Sequence, residues 1–180
     1  MDSKENIESL NKLLEVLPHC EGEDYYRLAK NLSIPVEDLQ PYAFWSDETY
    51  TRNCVLRTDK FELLLLCWKE GQETPIHCHN GEECWVYLAK GKLREKRYVD
   101  EGGELKLTAD VKMTQDRLSY MNDDLGYHSL HNLNEGTSMS LHLYVGPIDE
   151  CSVYKEDKDT FVFKDLDYHT KNKKIISNKL

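Results

Sequence analysis

Gly71-Gln72-Glu73-Thr74-Pro75-Ile76-His77-Cys78-His79-Asn80-Gly81-Glu82-Glu83-Cys84-Trp85-Val86-Tyr87-Leu88-Ala89-Lys90-Gly91 is the stretch on which the fold turns. It reads as two strands, 73–79 and 84–90, with Ala89-Lys90-Gly91-Lys92 as a hairpin connection to the next. His77 and His79 lie two apart, so on a strand both imidazoles leave the same face. Two nitrogen donors side by side are half of a metal site. Alone, the pair is a weak signal that exposed or hydrogen-bonded histidines at a sheet edge give more often, so the surrounding sequence decides.

Outward from this stretch, short runs rich in Val, Leu, Tyr and Thr recur roughly every 8–12 residues from about residue 52, the pattern of an all-β sandwich or barrel. Further strands are expected at 54–57, 62–68, 92–99, 105–113, 117–121, 127–133, 137–145, 152–154 and 160–164. The first 45 residues read helical instead. Ile7, Leu10, Leu13, Leu14 and Leu17 form one stripe that Pro18 ends, with Asp2 and Glu5 as a capping box. A second helix is expected over 24–32, and Pro35 suits the first turn of a third. The polar, basic stretch 171–180 is expected to fray. The chain is thus read as one domain, 1–180, with N-terminal helices over 1–45, a β-barrel over 46–165 and a C-terminal tail over 166–180.

Composition narrows the function. Among 180 residues, 23 Lys and Arg face 33 Asp and Glu, a formal net charge of −10 that repels phosphate backbones and argues against nucleic acid. The longest apolar run, 63–68, is far too short for a membrane span. The start MDSKEN lacks the pattern of a secretory signal, so the six cysteines, at 20, 54, 67, 78, 84 and 151, are read as reduced thiols in the cytoplasm.

Gly71, six positions before His77, and Gly91, twelve after His79, give the stretch the spacing of the first cupin motif, which it resembles. Where most cupins carry an acidic ligand, this chain has Cys84. His128 followed by Asn132 resembles the second cupin motif, with Gly126 closer to the histidine than usual and without the usual proline. The resemblance implies a mainly β protein, a cupin jelly-roll β-barrel with the helical segment packed outside. Its metal ligands would be three neutral imidazoles, from His77, His79 and His128, with no carboxylate. Imidazole suits iron, zinc, copper and nickel alike, so ligand type leaves the metal open.

From about residue 50 to 160 the chain resembles a particular cupin family, the cysteine dioxygenases, which are non-haem Fe(II) thiol dioxygenases. The motifs are Tyr50-Thr51-Arg52-Asn53, Leu66-Cys67-Trp68, Ile76-His77-Cys78-His79 with Cys84 five later, Gly126-Tyr127-His128 and Ser140-Leu141-His142-Leu143-Tyr144. The resemblance implies that His77, His79 and His128 hold Fe(II), while Arg52 grips the substrate carboxylate with help from Tyr50. Tyr144 would stand beside the reacting sulfur and oxygen, with Ser140 and His142 in a hydrogen-bonded trio along one strand. Cys84 and Tyr144 match the pair that many animal members join as a thioether, and Cys151 matches a cysteine at the pocket mouth. Substrates would be L-cysteine and O2, the product cysteine sulfinate, and the protein a monomer. The rivals are dioxygenation of another small thiol such as 3-mercaptopropionate, against which Arg52 argues, and a metal-binding cupin without catalysis. Tyr144 is followed by Val145-Gly146-Pro147 where the family often has Ser-Pro-Pro with a cis bond. A cis bond before a non-proline costs about 2.5–4 kcal/mol, so a trans bond is expected here.

Overall fold

The run Phe61–Trp68 (β2) is buried at every position, which requires packing on both faces. Alternation sorts the residues: Phe61, Leu63, Leu65 and Cys67 join one apolar cluster, Leu64, Leu66 and Trp68 another. The neighbouring strands Glu83–Lys90 (β3) and Ser138–Val145 (β8) follow the same rule. Trp85, Tyr87, Ala89, Met139, Leu141 and Leu143 pack in the first cluster, Cys84, Val86, Leu88 and Tyr144 in the second. Truncating one such fully buried leucine to alanine costs ~2–5 kcal/mol.

The computed structural model describes residues 6–176. The first cluster is completed by α1 (Leu10–Val16), α2 (Asp24–Lys30) and α3 (Val36–Leu39), which contribute Leu10, Leu13, Leu28 and Leu39 from outside the sheet. Ser9 caps α1 by accepting from the Lys12 amide, and Ile7 pairs with Leu32 in a parallel bridge instead of extending the helix. The expected Asp2–Glu5 box lies outside the described residues.

The other strands are β1 (Thr51–Arg57), β4 (Lys92–Glu101), β5 (Glu104–Thr114), β6 (Leu118–Met121), β7 (Tyr127–His131), β9 (Glu150–Lys155), β10 (Thr160–Asp165), β11 (Thr170–Lys171) and β12 (Lys174–Ile175). They form a seven-stranded sheet of order β12-β11-β1-β2-β8-β3-β6, a three-stranded sheet β5-β4-β7 and a hairpin β10-β9. The second cluster, with Leu93, Met113 and Leu130 from the smaller sheet, fills the space between them, and this interior holds the site. The architecture is a jelly roll, and no helix among the described residues is long and apolar enough to cross a membrane.

Two expectations are corrected. Residues 73–79 are not a regular strand: Glu73, His77 and their partners form isolated bridges. Pro75 cannot donate to a ladder, and the Thr74 hydroxyl accepts the Leu130 amide beside it. His77 still pairs with both His128 and Val153, so the segment stitches β7 to β9. The tail does not fray at its start either. β11 runs parallel to β1, and Thr170 Oγ1 donates to Asn53 Oδ1 at 3.0 Å.

Two glycines are obligatory. Gly91 has φ +84°, and a Cβ there would lie 2.2 Å from Ser138 Oγ. Gly126 has φ +91°, and a Cβ would meet the Tyr98 carbonyl oxygen at 2.2 Å. Finally, β1 slips one register against β2 between Cys54 and Leu56. Val55 and Leu56 consequently both pack on the helix side, and Arg57 returns to the inner face that carries Arg52 and Cys54.

Candidate metal centre and adjoining cavity

His77, His79 and His128 converge in the interior with ligand atoms all within 4.8 Å of one another. Each ring is brought there differently. His77 is fixed by its bridge to β7, with amide and carbonyl both bonded to His128, and its Nδ1–H donates to the Pro75 carbonyl at 2.9 Å. His79 opens the turn Asn80-Gly81, and the Asp123 carboxylate holds that turn by accepting from the amides of His79 (2.8 Å) and Gly81 (2.7 Å). His128 sits on β7, its Nδ1 2.9 Å from Glu95 Oε1 on β4.

Glu95 is 1% exposed and also accepts from Ser119 Oγ (2.7 Å) and Arg97 Nη2 (3.1 Å). Burial would raise its pKa, but His128, Ser119 and Arg97 outweigh burial and hold the carboxyl below its usual range. An ionised Glu95 accepts the Nδ1 proton of His128 and turns the Nε2 lone pair inward, the arrangement by which a carboxylate orients a metal-ligating imidazole. Burial, reinforced by neighbouring imidazoles, pushes His77 down to about 3 and His79 well below its usual value, so both are neutral donors near pH 7.

The donor set fits a metal on an observation independent of spacing. Both ring nitrogens of His79 and Nε2 of His128 are buried with no hydrogen-bond partner. Each such atom costs roughly 1–3 kcal/mol if nothing meets it. A divalent ion accepting one lone pair from His79 and that of His128 Nε2 removes the cost at those two atoms.

Beside the triad is a cavity lined by Tyr50, Arg52, His77, His142, Tyr144 and Cys151. Arg52 lies on β1 and is 8% exposed, with Nε and Nη2 buried and without a hydrogen-bond partner. Tyr50 stacks on Trp68, centroids 4.7 Å apart. Ser140, His142 and Tyr144 alternate on the inner face of β8. Trp68 Nε1–H donates to Ser140 Oγ (2.9 Å), which lies 2.9 Å from His142 Nε2. Cys84 stands directly opposite Tyr144 in the β3–β8 ladder, fully buried. Burial pushes the Cys84 thiol well up, with the Tyr144 hydrogen bond opposing it.

The structure thus places His77, His79, His128, Arg52, Tyr50, Ser140, His142, Tyr144, Cys84 and Cys151 in or around this interior, whereas Asn132 donates to the carbonyls of Trp68, Lys69 and Gly136 instead. It adds four acidic or phenolic groups that sequence reasoning missed: Glu95, Asp123, Glu62 and Tyr168. Glu95 shares the parity of buried Leu93, and Glu62 is the lone charge inside the apolar run Phe61–Trp68; both are legible signals.

Fold and site together define a double-stranded β-helix of the cupin kind with an internal three-histidine centre. A Klebsiella pneumoniae protein with a double-stranded β-helix domain superposes with a TM-score of 0.53 at 13% identity, covering 66% of this chain and 95% of that one, a likeness of fold alone. Residues 21–157 match the profile of cysteine dioxygenase type I, and the chain belongs to that family. It is 31% identical over 120 residues to human cysteine dioxygenase type 1, a span covering 64% of this chain and 60% of the human one. The Danio rerio protein of the same name is 29% identical over 163 residues, 84% of this chain and 80% of that one.

Proposed function

We propose that the protein is an Fe(II)-dependent cysteine dioxygenase, converting L-cysteine and O2 to cysteine sulfinate. The observation that carries this reading is a cluster of three imidazoles, His77, His79 and His128, beside a cavity that His77 shares with a buried guanidinium whose Nε and Nη2 have no hydrogen-bond partner. Such a cavity suits a small molecule with a soft metal-binding group at one end and a carboxylate at the other. Family membership supports the thiol chemistry.

His77, His79 and His128 would hold the ion. Ferrous iron bound there supplies the positive charge that favours a thiolate and the reducing power that dioxygen activation needs. Arg52 binds the carboxylate through two parallel N–H bonds and fixes the orientation of the amino acid, making the reaction effectively intramolecular. Tyr50 adds a hydroxyl donor at the same end. Tyr144 places its phenol over the reacting region and holds a proton there, since burial pushes its pKa well above the usual phenol value. The chain Trp68–Ser140–His142 keeps the His142 ring in place next to that phenol. Overall the thiol and one O2 become a sulfinate and a proton, both oxygen atoms ending on sulfur.

Cys84 and Tyr144 face each other closely enough in register for a thioether, formed by loss of one hydrogen from each with dioxygen as oxidant. The six unpaired cysteines support action in a reducing compartment such as the cytoplasm, and the protein is read as a monomer.

The test is oxygen uptake by protein reconstituted anaerobically with ferrous iron, with mass detection of product. One sulfinate per O2 from L-cysteine is expected. No uptake, as for a cupin that only binds metal, overturns the reading, and a clear preference for 3-mercaptopropionate reassigns the substrate.

A further inference from the structure

Glu62 interrupts the inner face of β2, where Leu64, Leu66 and Trp68 are otherwise apolar, and it is 0% exposed. Burying a carboxylate costs several kcal/mol, and a hydrophobic residue of similar size there is often neutral or better for stability. The residue therefore calls for a reason beyond folding, and its two oxygens supply one. Oε2 is anchored: Arg57 Nη1 donates to it at 3.2 Å and the Tyr168 hydroxyl donates to it as well. Arg57 is itself held by Asp149 through two 2.8 Å bonds, and its Nη1 donates to the Tyr168 oxygen at 2.6 Å. Oε1 has no hydrogen-bond partner and faces Arg52 Nη2 at 3.6 Å.

That distance attracts the guanidinium without saturating it. Nη2 carries two N–H groups, so one can face Glu62 while the other remains beside Nε–H for a bidentate partner. We infer that Glu62, anchored by Arg57 and by Tyr168 of the C-terminal segment, is a positioning residue that aims Arg52 at the substrate carboxylate and so sets the preference for carboxylate-bearing thiols. The inference rests on the cavity being a thiol site. The C-terminal segment is built into the arrangement. Leu166 lines the cavity, the Arg52 amide donates to His169 Nδ1 at 3.1 Å, and the His169 amide donates to the Arg52 carbonyl at 2.8 Å. The stretch read from the sequence as a tail therefore grips Arg52 by its backbone and, through Tyr168 and Glu62, approaches its head group.

The test compares L-cysteine with cysteamine, which lacks the carboxylate, for wild-type, Glu62→Gln and Tyr168→Phe protein loaded with ferrous iron. Calorimetric binding without oxygen is measured first, then KM and kcat from oxygen uptake. Wild type is expected to favour cysteine. Glu62→Gln should reduce the cysteine-to-cysteamine affinity ratio about tenfold, and Tyr168→Phe about threefold in the same direction, with the change in KM rather than kcat. A merely structural role would lower both affinities in parallel, and that result overturns the inference, as would tighter cysteine binding by Glu62→Gln. Should Glu62→Gln fail to fold, Tyr168→Phe, which removes a single hydroxyl, decides. Wild type that binds both thiols equally also overturns it while leaving the dioxygenase reading intact. Conversely, a ratio that shifts as expected in a protein that takes up no oxygen sustains the inference and removes the dioxygenase reading.

Discussion

The two ends of the interior handle buried polarity in opposite ways. At the histidine end the donors are imidazoles, His77 and His79 held neutral by burial, and two of the three rings are braced by an acceptor on the far nitrogen, Pro75 carbonyl for His77 and Glu95 for His128. At the arginine end the groups are charged and interlocked, Arg52 and Arg57 against Glu62 and Asp149. Both ends keep buried ring or guanidinium nitrogens without hydrogen-bond partners, and His77 and Arg52 line the cavity between them. Fixing a tautomer is enough to prepare a lone pair for a cation. Preparing a guanidinium for an anion takes charges of both signs, because an isolated one would be too costly to bury.

Substitutions at each end sharpen that contrast. His128→Ala removes one of three ligands and should abolish most iron retention, read by metal analysis after gel filtration; full occupancy would break the assignment of the histidine end. Arg52→Gln should cost about 100-fold in kcat/KM for cysteine, within the 2–5 kcal/mol range for losing a buried charged partner, and far less for cysteamine. Equal losses for both thiols would mean that Arg52 supports the fold rather than the carboxylate. Glu95→Gln keeps the shape behind His128 but drops the charge, and should weaken iron affinity by about tenfold or more in a competition assay with a chelator. The smallest change is expected from Cys84→Ser, which should leave the histidine end loaded while removing any thioether. Intact mass reads this as disappearance of the two-hydrogen deficit, and a wild-type mass without that deficit would show that no crosslink forms.

Much of this was legible in the sequence because strand parity is local information. The run Phe61–Trp68 and the alternation of Ser140, His142 and Tyr144 declare their faces without knowledge of neighbours. The departures occur where partners are remote. Residues 73–79 carry the right residues for a strand, but Pro75 denies a ladder bond, and the segment instead bridges two strands more than fifty residues away. The segment holding Tyr168 and Thr170 looks like a polar tail until β1, 117 residues earlier, provides Asn53. Glu62 and Glu95 were visible as charges at buried parity, yet their partners could not be named. Arg57 in particular faces Glu62 only because β1 carries an extra residue near Val55.

Asp123 serves two of the three ligands at once. Its carboxylate clasps the two amides around the His79 turn, and it begins the short 3-10 turn Asp123–Leu125 that leads directly into β7 and His128. One side chain therefore yokes two imidazoles that arise almost fifty residues apart, so a fluctuation that displaces either also tugs on the other. The separation of those two rings is thus set by a single carboxylate before any ion arrives.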